Sequence, residues 1–478
     1  MREPQDHQAP GLAARLCGRQ SVVDVAVIAA LLAAMALTPF FLDEGWQLYM
    51  LIHSFAKHRF SLGFHLGDLE ITFMKPLMWV HAQIYPLTRQ GALYVLLRLP
   101  STLMAVAAWW FLSRSVLMLG LGRPAAMAAT ALLFVMLAAS YMVWARFDVI
   151  YVLAETAVIY AALAVLLRQD ARPLLLVTGL VPLLMPNHHM VVAAVLVYVI
   201  ALIFVLPRLD RRTIALGIAI GAVATAIGLR LLIWNLSPSE FLALQRHWSE
   251  IDVEHSRGIA YELNRYWFLF RTNPLFFWSL LAMAGAALLP GTRAALPAPA
   301  RRFLLVVPAT LALMLLFYPS KWPVYTSVYF PPLILLTAAA LCHYARQASA
   351  VVAALAMLVL IQESVLAKSV FGQSNAFMQA VQTVTGANTP YRAQMERIRT
   401  MTAGHTVLMP PTLMVLFPQT VMYDMDIPDT NADFVIWNVD ENASAPGRHQ
   451  VMLEAGRTVV EIFKFQGDYY AVYKKAGL

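Results

Sequence analysis

The sequence predicts an all-α polytopic membrane protein with a small α/β domain at its C-terminal end. Three observations lead to this fold class. The 478 residues are 60% hydrophobic and 13% charged, with a mean hydropathy of +0.64, whereas soluble domains carry about 25% charged residues. Apolar runs long enough to cross a bilayer recur along most of the chain. The final part of the chain instead contains short β-prone runs separated by turn residues.

We identify roughly eleven apolar runs near the length of a membrane helix, which is about 20 residues. The run at 173–187 is the shortest, and Pro182 and Pro186 could interrupt it. Arg15 and Arg19 before the first run also resemble the start of a cleavable signal peptide. That run is too long for a signal core, which favours a retained helix. The predicted spans are 22–42, 91–113, 124–144, 149–167, 173–187, 189–207, 213–234, 272–290, 303–318, 324–344 and 349–366.

Arginine predicts the orientation of these spans. If the N-terminus is cytoplasmic, arginine falls in every short inner connection and is scarce in the short outer ones, in agreement with the positive-inside rule. The regions 43–90, 235–271 and 367–478 then lie outside. The net charge of +8 reflects these inner connections and does not indicate nucleic-acid binding. Two cysteines are too few for a disulfide framework.

The outer regions differ in kind. In the first outer loop, 43–90, the spacing of Leu48, Leu51, Ile52 and Phe55 predicts a helix that lies along the membrane interface. The tail predicts a helical stretch around 375–401, followed by β-prone runs. These runs are Val407–Met409, Val415–Phe417, Phe434–Trp437, Val459–Phe465 and Tyr469–Tyr473. We therefore divide the chain into a membrane domain, 1–366, and an extracytoplasmic domain, 367–478.

Asp43 and Glu44 form a pair of carboxylates where the first apolar run meets the outer surface. Carboxylates near hydrocarbon are costly and are usually functional. A carboxylate that accepts a proton, beside cations that hold phosphate, suits a reaction in which a lipid phosphate is the leaving group. Arg146 and Asp148 could equally pair with each other, and the two histidines fit a polar turn. The other candidates on the predicted outer surface are Lys75, Arg146, Asp148, His188, His189 and Lys321.

Four motifs on this surface resemble the GT-C glycosyltransferases, particularly the branch with protein O-mannosyltransferases and the lipid A aminoarabinose transferase. Asp43-Glu44 followed by Tyr49 resembles the start of that branch's first outer loop. The segment from Lys75 to Trp79 resembles its Lys-Pro-Pro-Leu-x-Tyr-Trp stretch, with Leu77 at the second proline. The other two matches are Ala145-Arg146-Phe147-Asp148, and Lys321-Trp322-Pro323-Val324-Tyr325 running into Phe330-Pro331-Pro332.

The resemblance implies an inverting transferase that takes a sugar from a polyprenyl phosphate and passes it to an extracytoplasmic acceptor. That acceptor could be a glycolipid, a polysaccharide or a protein. Asp43 would be the general base, and Glu44 would orient the acceptor or a divalent cation. Tyr49, Asp148, His188 and His189 are candidates for acceptor or substrate contact. The groups implied to hold the donor phosphate are Lys75, Arg146, Lys321 and Tyr325. The active site would face away from the cytoplasm, in a bacterial inner membrane.

A lipid or glycolipid transporter, or flippase, is the alternative function. Transporters carry ionisable groups near the middle of their spans and broken helices in corresponding halves. Arg230 and the prolines at 182 and 186 are the hints of this kind, and the second half of the chain has no matching pattern. Charged residues instead cluster at one predicted surface, which favours the enzyme. The sequence contains neither a G-x-x-x-x-G-K loop nor an H-E-x-x-H motif.

Overall fold

The structure is a computed structural model. It describes residues 12–37, 61–66, 69–74, 80, 84, 94–138, 142, 149–185, 190–232, 239, 259–272, 274–317, 323–344, 389–409, 413, 431–439, 452–465 and 468–478. The structural statements that follow concern these residues.

The membrane part is a helical bundle. Its helices are α1 (Leu12–Leu37), α2 (Leu99–Met118), α3 (Pro124–Leu137), α4 (Val149–Arg168), α5 (Arg172–Leu184), α6 (Val191–Val205), α7 (Arg211–Leu232), α8 (Ile259–Thr272), α9 (Pro274–Leu288), α10 (Pro290–Ala295), α11 (Ala298–Phe317) and α12 (Phe330–Tyr344). Short 3₁₀ helices at Tyr94–Arg98, Leu206–Arg208 and Pro323–Tyr329 adjoin α2, α6 and α12. Proline at the start of α3, α9 and α10 suits a position whose N–H has no intrahelical partner.

The membrane-protein prediction is confirmed by helix length and apolarity. Within the described part, six helical segments are long and apolar enough to cross a bilayer. They are Leu96–Met118, Val149–Arg168, Val191–Arg208, Arg211–Leu231, Ala298–Phe317 and Tyr325–Tyr344. Four shorter apolar helices are Ser21–Met35, Pro124–Leu137, Arg172–Leu184 and Phe277–Leu288. The predicted span 349–366 lies outside the described residues.

Two predicted spans are offset from the helices that the structure contains. The second was predicted at 91–113, whereas the segment long enough to span is Leu96–Met118, with α2 itself beginning at Leu99 and Pro100 in its first turn. The ninth was predicted at 303–318, but α11 begins at Ala298 and includes Arg301 and Arg302. Arginine can occupy the first turn of a membrane helix because its long side chain reaches the interface. The helix at Arg172–Leu184 contains Pro182 and ends before Pro186.

The core of the bundle surrounds α4, which packs against α2, α5 and α6. Nearly all of the α4 side chains are buried. Helix α1 contributes Val27 and Leu31 to the same core. Helices α5 and α7 can approach closely at Gly228 because glycine has no Cβ. A Cβ at this position would collide with the Pro182 carbonyl. Small residues at such contacts are typical of membrane helices.

Hydrogen bonds between helix ends define one end of the bundle. Arg123 donates from Nη1 to the Cys342 carbonyl at 2.8 Å, and Arg208 donates from Nη1 to the Leu166 carbonyl at 2.6 Å. Each bond satisfies a carbonyl of the kind left without a partner at a helix C-terminus. We call this the arginine-rich end because it collects the short connections between helices. Its described arginines are Arg15, Arg19, Arg114, Arg123, Arg168, Arg172, Arg208, Arg211, Arg212, Arg293, Arg301 and Arg302.

The region between α1 and α2, predicted as the first outer loop, contains a β-hairpin that the sequence reasoning did not predict. Strands β1 (Ser61–Leu66) and β2 (Leu69–Met74) pair antiparallel, with Phe64 opposite Ile71. Apolar residues alternate along both strands, which is the period of a strand with two different faces. The interfacial helix predicted around Leu48–Phe55 lies outside the described residues.

The tail forms a four-stranded sheet with one packed helix, as predicted. Helix α13 (Thr389–Thr402) precedes β3 (Val407–Leu408), β4 (Phe434–Asn438), β5 (Thr458–Phe465) and β6 (Asp468–Lys474). The strand order is β3-β4-β6-β5. Strand β3 is parallel to β4, and the remaining neighbours are antiparallel. The predicted run at Val415–Phe417 lies outside the described residues.

Candidate functional site

A cluster of four tyrosines and a serine lies at the end of the bundle opposite the arginine-rich end. We call Tyr151, Tyr266, Tyr325, Ser327 and Tyr329 the tyrosine cluster. The Tyr151 hydroxyl lies 2.7 Å from Ser327 Oγ, and the Tyr266 and Tyr329 hydroxyls are 3.1 Å apart. The Tyr325 ring meets the Tyr151 ring edge-on, with 6.5 Å between centroids. The cluster therefore joins α4, α8 and the 3₁₀ helix that precedes α12.

Prolines explain why the chain forms a 3₁₀ helix at this point. Pro323 is its first residue, and Pro331 and Pro332 stand in the first turn of α12. Without N–H groups, these two prolines cannot close α-helical bonds to the carbonyls of Ser327 and Val328. The α-helix therefore starts at Phe330, and the tighter 3₁₀ turn supplies Tyr325, Ser327 and Tyr329 to the cluster.

Arg98 connects α1 and α2 at the tyrosine-cluster end of the bundle. Its side chain is 1% exposed, and Nη1 donates to the Met35 carbonyl at 2.9 Å. This bond ties the C-terminal end of α1 to the start of α2. The chain leaves α1 at Leu37, six residues before Asp43.

Most of the predicted site residues lie outside the described part of the chain. These are Asp43, Glu44, Tyr49, Lys75, Arg146, Asp148, His188, His189 and Lys321. Of the predicted residues, Tyr325 is described, and it is 4% exposed within the tyrosine cluster. The helix ends nearest in sequence to most of the others are Leu37, Val149, Val191 and Pro323. All four face the tyrosine-cluster end, since the helices alternate in direction through the bundle.

Sequence reasoning missed Tyr151, Tyr266 and Ser327. Tyr151 follows the predicted Arg146–Asp148 turn by three residues, and Ser327 continues the predicted Lys321–Tyr325 motif by two. Their closeness to predicted site residues was a usable signal. The contact between them is not readable from one sequence, because they are 176 residues apart.

Glu155, outside the tyrosine cluster, is a further residue that the sequence reasoning missed. Its side chain is fully enclosed in α4, and neither carboxyl oxygen has a hydrogen-bond partner. It stands one helical turn beyond Tyr151, further from the tyrosine-cluster end. A carboxylate six residues inside an apolar run is visible in the sequence, and such residues usually mark function.

Comparison with solved structures identifies the fold. ArnT from Cupriavidus metallidurans bound to undecaprenyl phosphate aligns over 96% of this chain and 98% of its own, with 16% identity and a TM-score of 0.60. ArnT from the same organism in the apo state gives 15% identity, coverage of 95% and 97%, and a TM-score of 0.59. The chain has a GT-C fold. The GT-C resemblance read from the sequence is thereby confirmed at the level of the fold.

A further GT-C structure aligns with this chain over a smaller part of its own length. The arabinosyltransferase EmbB from Mycobacterium smegmatis aligns over 72% of this chain, with 17% identity and a TM-score of 0.52. The aligned region is 32% of EmbB, so the likeness covers about a third of that protein. No protein-family model matches the chain, and no curated protein sequence matches it either.

Proposed function

We propose that this protein is an integral membrane glycosyltransferase. It transfers a sugar from a polyprenyl-phosphate donor to an extracytoplasmic acceptor with inversion at the anomeric carbon. The observation that carries this proposal is the GT-C fold shared along almost the whole chain with an ArnT bound to undecaprenyl phosphate. At this identity the likeness concerns the fold, so the donor and the roles of individual residues are our inference.

The distribution of arginine supports an active site outside the cytoplasm. Within the helical bundle, twelve described arginines lie at the arginine-rich end, whereas Arg98, Arg230, Arg265 and Arg271 are the described ones towards the tyrosine cluster. The positive-inside rule then assigns the arginine-rich end to the cytoplasm. The tyrosine cluster would face the periplasm, in a bacterial inner membrane.

The proposed reaction needs one base and several cations. The acceptor oxygen attacks the anomeric carbon while the bond between that carbon and the phosphate oxygen breaks. Asp43 takes the acceptor proton, and the lipid phosphate departs with the bonding electron pair. Cations placed where charge develops stabilise the transition state. Lys75, Arg146 and Lys321 would supply that charge.

The tyrosine cluster fits this chemistry as the structural floor of the site. Tyr325 is held edge-on by Tyr151, and Tyr151 is in turn held by Ser327. A rigid support of this kind keeps groups within reacting distance, which lowers the entropic part of the barrier. Glu44, Tyr49, Asp148, His188 and His189 are proposed to contact the acceptor or the sugar.

Asp43→Asn tests the base assignment. The reconstituted protein is given a radiolabelled polyprenyl-phosphate sugar and a panel of glycolipid, polysaccharide and peptide acceptors, and mass spectrometry identifies the product. Asp43→Asn should abolish transfer while membrane insertion is retained, and Glu44→Gln should weaken it. Asp170→Asn is the matched control, since it makes the same change in an exposed connection at the arginine-rich end. Normal turnover by Asp43→Asn would contradict the assignment.

Lys75→Ala tests the phosphate role. The apparent KM for the donor should rise by more than the protein level falls, because a cation that binds phosphate is lost. Lys475→Ala removes an exposed lysine from the tail and serves as the control. A Lys75→Ala protein that is poorly folded but has an unchanged donor KM would show that the residue is structural.

Glu155 gives the transporter alternative a specific observation in its favour, since it is an enclosed carboxyl within a span. Vesicles containing the protein and a fluorescent polyprenyl-phosphate sugar distinguish the two functions. A transporter moves the lipid between leaflets without cleaving the sugar phosphate, and Asp43→Asn would leave that movement intact. The glycosyltransferase forms a cleaved product that disappears in Asp43→Asn.

A further inference from the structure

Two short connections at the arginine-rich end form a strongly basic surface. The first connection joins α4 to α5, and the second joins α6 to α7. Arg208 holds them together, because its Nη1 donates to the Leu166 carbonyl of α4 at 2.6 Å. We call this surface the arginine patch, and all of its members are exposed. They are Arg168, Arg172, Arg208, Arg211 and Arg212.

The packing of α5 against α7 brings the two halves of the arginine patch side by side. A Cβ at Gly217 of α7 would lie 3.6 Å from Leu175 of α5, and one at Gly221 would lie 3.1 Å from Thr178. Residue numbers therefore rise together along the two helices, which are parallel and both begin at the arginine-rich end. The first residue of each helix is an arginine, and these two arginines lie within about one helical turn of each other in height.

The carboxylates closest in sequence to the arginine patch do not pair with it. Asp170 Oδ1 accepts the Arg172 backbone N–H at 3.1 Å. Asp210 accepts the backbone N–H of Thr213 at 2.8 Å and its hydroxyl at 3.0 Å. Both aspartates therefore bind groups at the start of the helix that follows them. In the part of the chain that the structure describes, the four patch side chains other than Arg208 have neither an ion pair nor a hydrogen bond.

An exposed apolar surface begins one helical turn from the arginine patch. Leu176 follows Arg172 by four residues on α5, and Leu216 follows Arg212 by four residues on α7, so each pair shares a helix face. The two leucines are 65% and 48% exposed. More exposed apolar side chains continue along α7, in the segment Arg211–Leu231 that is long enough to span. Charge followed by exposed hydrocarbon matches the order of head group and acyl chain in a lipid.

The chemistry of the arginine patch suits phosphate. Arginine presents a planar fork of N–H donors, which binds a phosphate through two hydrogen bonds at once. Basic clusters at the ends of membrane helices attract anionic lipids, and basic pockets between such helices bind the head group of cardiolipin. Four guanidinium groups without a protein partner can bind two phosphates, and cardiolipin carries two phosphates on one lipid. Cardiolipin is therefore the appropriate probe.

We propose that the arginine patch binds the head group of an anionic phospholipid in the leaflet at the arginine-rich end. The guanidinium groups bind the phosphates, and the acyl chains lie on the apolar faces that begin at Leu176 and Leu216. The bound lipid stabilises the position of α7, which packs mainly on α5. This site lies at the end of the bundle opposite the tyrosine cluster. It is therefore independent of the proposed sugar transfer.

Lipid binding is measured on the full chain in detergent. Native mass spectrometry quantifies bound tetraoleoyl cardiolipin, and dioleoyl phosphatidylcholine is the lipid without net charge. The patch variant combines Arg172→Gln, Arg211→Gln and Arg212→Gln. A matched control removes the same charge from the same end of the bundle, outside the arginine patch. It combines Arg293→Gln, Arg301→Gln and Arg302→Gln.

The unchanged protein should bind cardiolipin at least about tenfold more tightly than phosphatidylcholine, since each arginine near an anionic surface adds about fivefold to affinity. High salt should weaken this binding, because the patch is exposed to solvent. The patch variant should lose most of the preference for cardiolipin, and the control variant should keep it. Equal affinities of the unchanged protein for the two lipids would overturn the proposal. An equal loss in the two variants would also overturn it.

A second measurement uses the unchanged protein, so it does not require the variants to fold. A cardiolipin analogue with a photoreactive group at the start of its acyl chains is cross-linked, and mass spectrometry identifies the labelled peptides. Labels should concentrate on the peptides of Leu176 and Leu216. Val306 of α11 is the matched reference, because it is 39% exposed and follows Arg302 by four residues. Labelling of Val306 as frequent as that of the two leucines would contradict a specific site.

Competition during cross-linking separates the two lipids that could bring phosphate to this site. Unlabelled cardiolipin should displace the photoreactive analogue from the peptides of Leu176 and Leu216. Undecaprenyl phosphate should displace it less effectively, because it brings one phosphate to the arginine patch. Stronger displacement by undecaprenyl phosphate would identify the carrier lipid as the ligand and overturn the assignment to a phospholipid.

Discussion

The Tyr151 hydroxyl and Ser327 Oγ are 2.7 Å apart and connect the central helix α4 to the 3₁₀ helix before α12. Both side chains are buried, at 1% exposure each. This contact holds the segment that presents Tyr325. Because it joins residues 176 positions apart in sequence, this bond contributes to the stability of the fold and also fixes the geometry of the candidate site.

Removal of either partner should destabilise the protein. Tyr151→Phe and Ser327→Ala each remove one side of a buried hydrogen bond, at a cost of about 1–3 kcal/mol. The double variant should cost less than the sum, because the same bond is lost only once. Thermal unfolding in detergent measures the three free energies. Tyr160→Phe, on the same helix beside Trp110 and Phe111, is the control, and additive effects of the pair would contradict the coupling.

A second buried bond should hold α1 against α2. The Trp109 indole N–H donates to Asp24 Oδ1 at 2.9 Å. Asp24→Asn keeps an oxygen acceptor and should be tolerated, whereas Asp24→Ala leaves the indole N–H unpaired and should cost about 1–3 kcal/mol. The melting temperature of the detergent-solubilised protein measures the difference. Trp110→Phe changes the neighbouring, half-exposed indole and should have little effect. Equal losses from the two Asp24 variants would contradict the role of the bond.

Helix packing predicts opposite outcomes for two glycines. Gly228→Ala places a methyl group against the Pro182 carbonyl oxygen, so α5 and α7 must separate. Overpacking of this kind typically costs about 1–3 kcal/mol. Gly285→Ala, in α9, meets no atom within 4 Å and should be neutral or stabilising, since alanine favours helix. Expression and thermal unfolding compare the two variants. A stable Gly228→Ala protein would show that the helices can shift apart without loss.

The sequence was informative where a local pattern carries the signal. Long apolar runs identify the spans, and alternation identifies β4, β5 and β6 in the tail, because these patterns follow from the helix and strand periods. The hairpin at 61–74 could have been found in the same way. Its alternating residues Leu62, Phe64, Ile71 and Phe73 flank the dipeptide Gly67-Asp68, which is a hairpin signal.

The sequence was less informative where distant segments meet. Arg98 donates to the Met35 carbonyl, 63 residues away, and no local pattern predicts that contact. The tyrosine cluster unites residues from three helical segments, and no local pattern encodes that meeting.

The tail should lose stability in acid. Backbone hydrogen bonding from Thr406 N–H, at 2.9 Å, lowers the pKa of Asp433 below its usual value, with a further contribution from His405. Because the folded-state pKa is lower than the unfolded one, the stabilisation is present at neutral pH and is lost as the pH falls through that range, near and below about 4. Hydrogen exchange of the β3–β4 amides against pH measures this loss. Asp433→Asn should flatten the profile, and Glu454→Gln should not. An unchanged profile in Asp433→Asn would contradict the assignment.

Replacement of Glu155 by an apolar residue should raise stability and lower activity. An enclosed carboxyl without a hydrogen-bond partner destabilises the fold, so Glu155→Leu should raise the melting temperature by an amount equivalent to about 1–3 kcal/mol. Proteins retain such costly groups mainly where activity needs them. Glu155→Leu should therefore lower sugar transfer or lipid movement while the protein becomes more stable. Glu155→Gln should have stability and activity between those of the unchanged protein and Glu155→Leu. Unfolding and activity are measured on the same preparations. A stabilised Glu155→Leu protein with full activity would assign the residue no function, whereas a destabilised one would show that the carboxyl has a partner in the membrane.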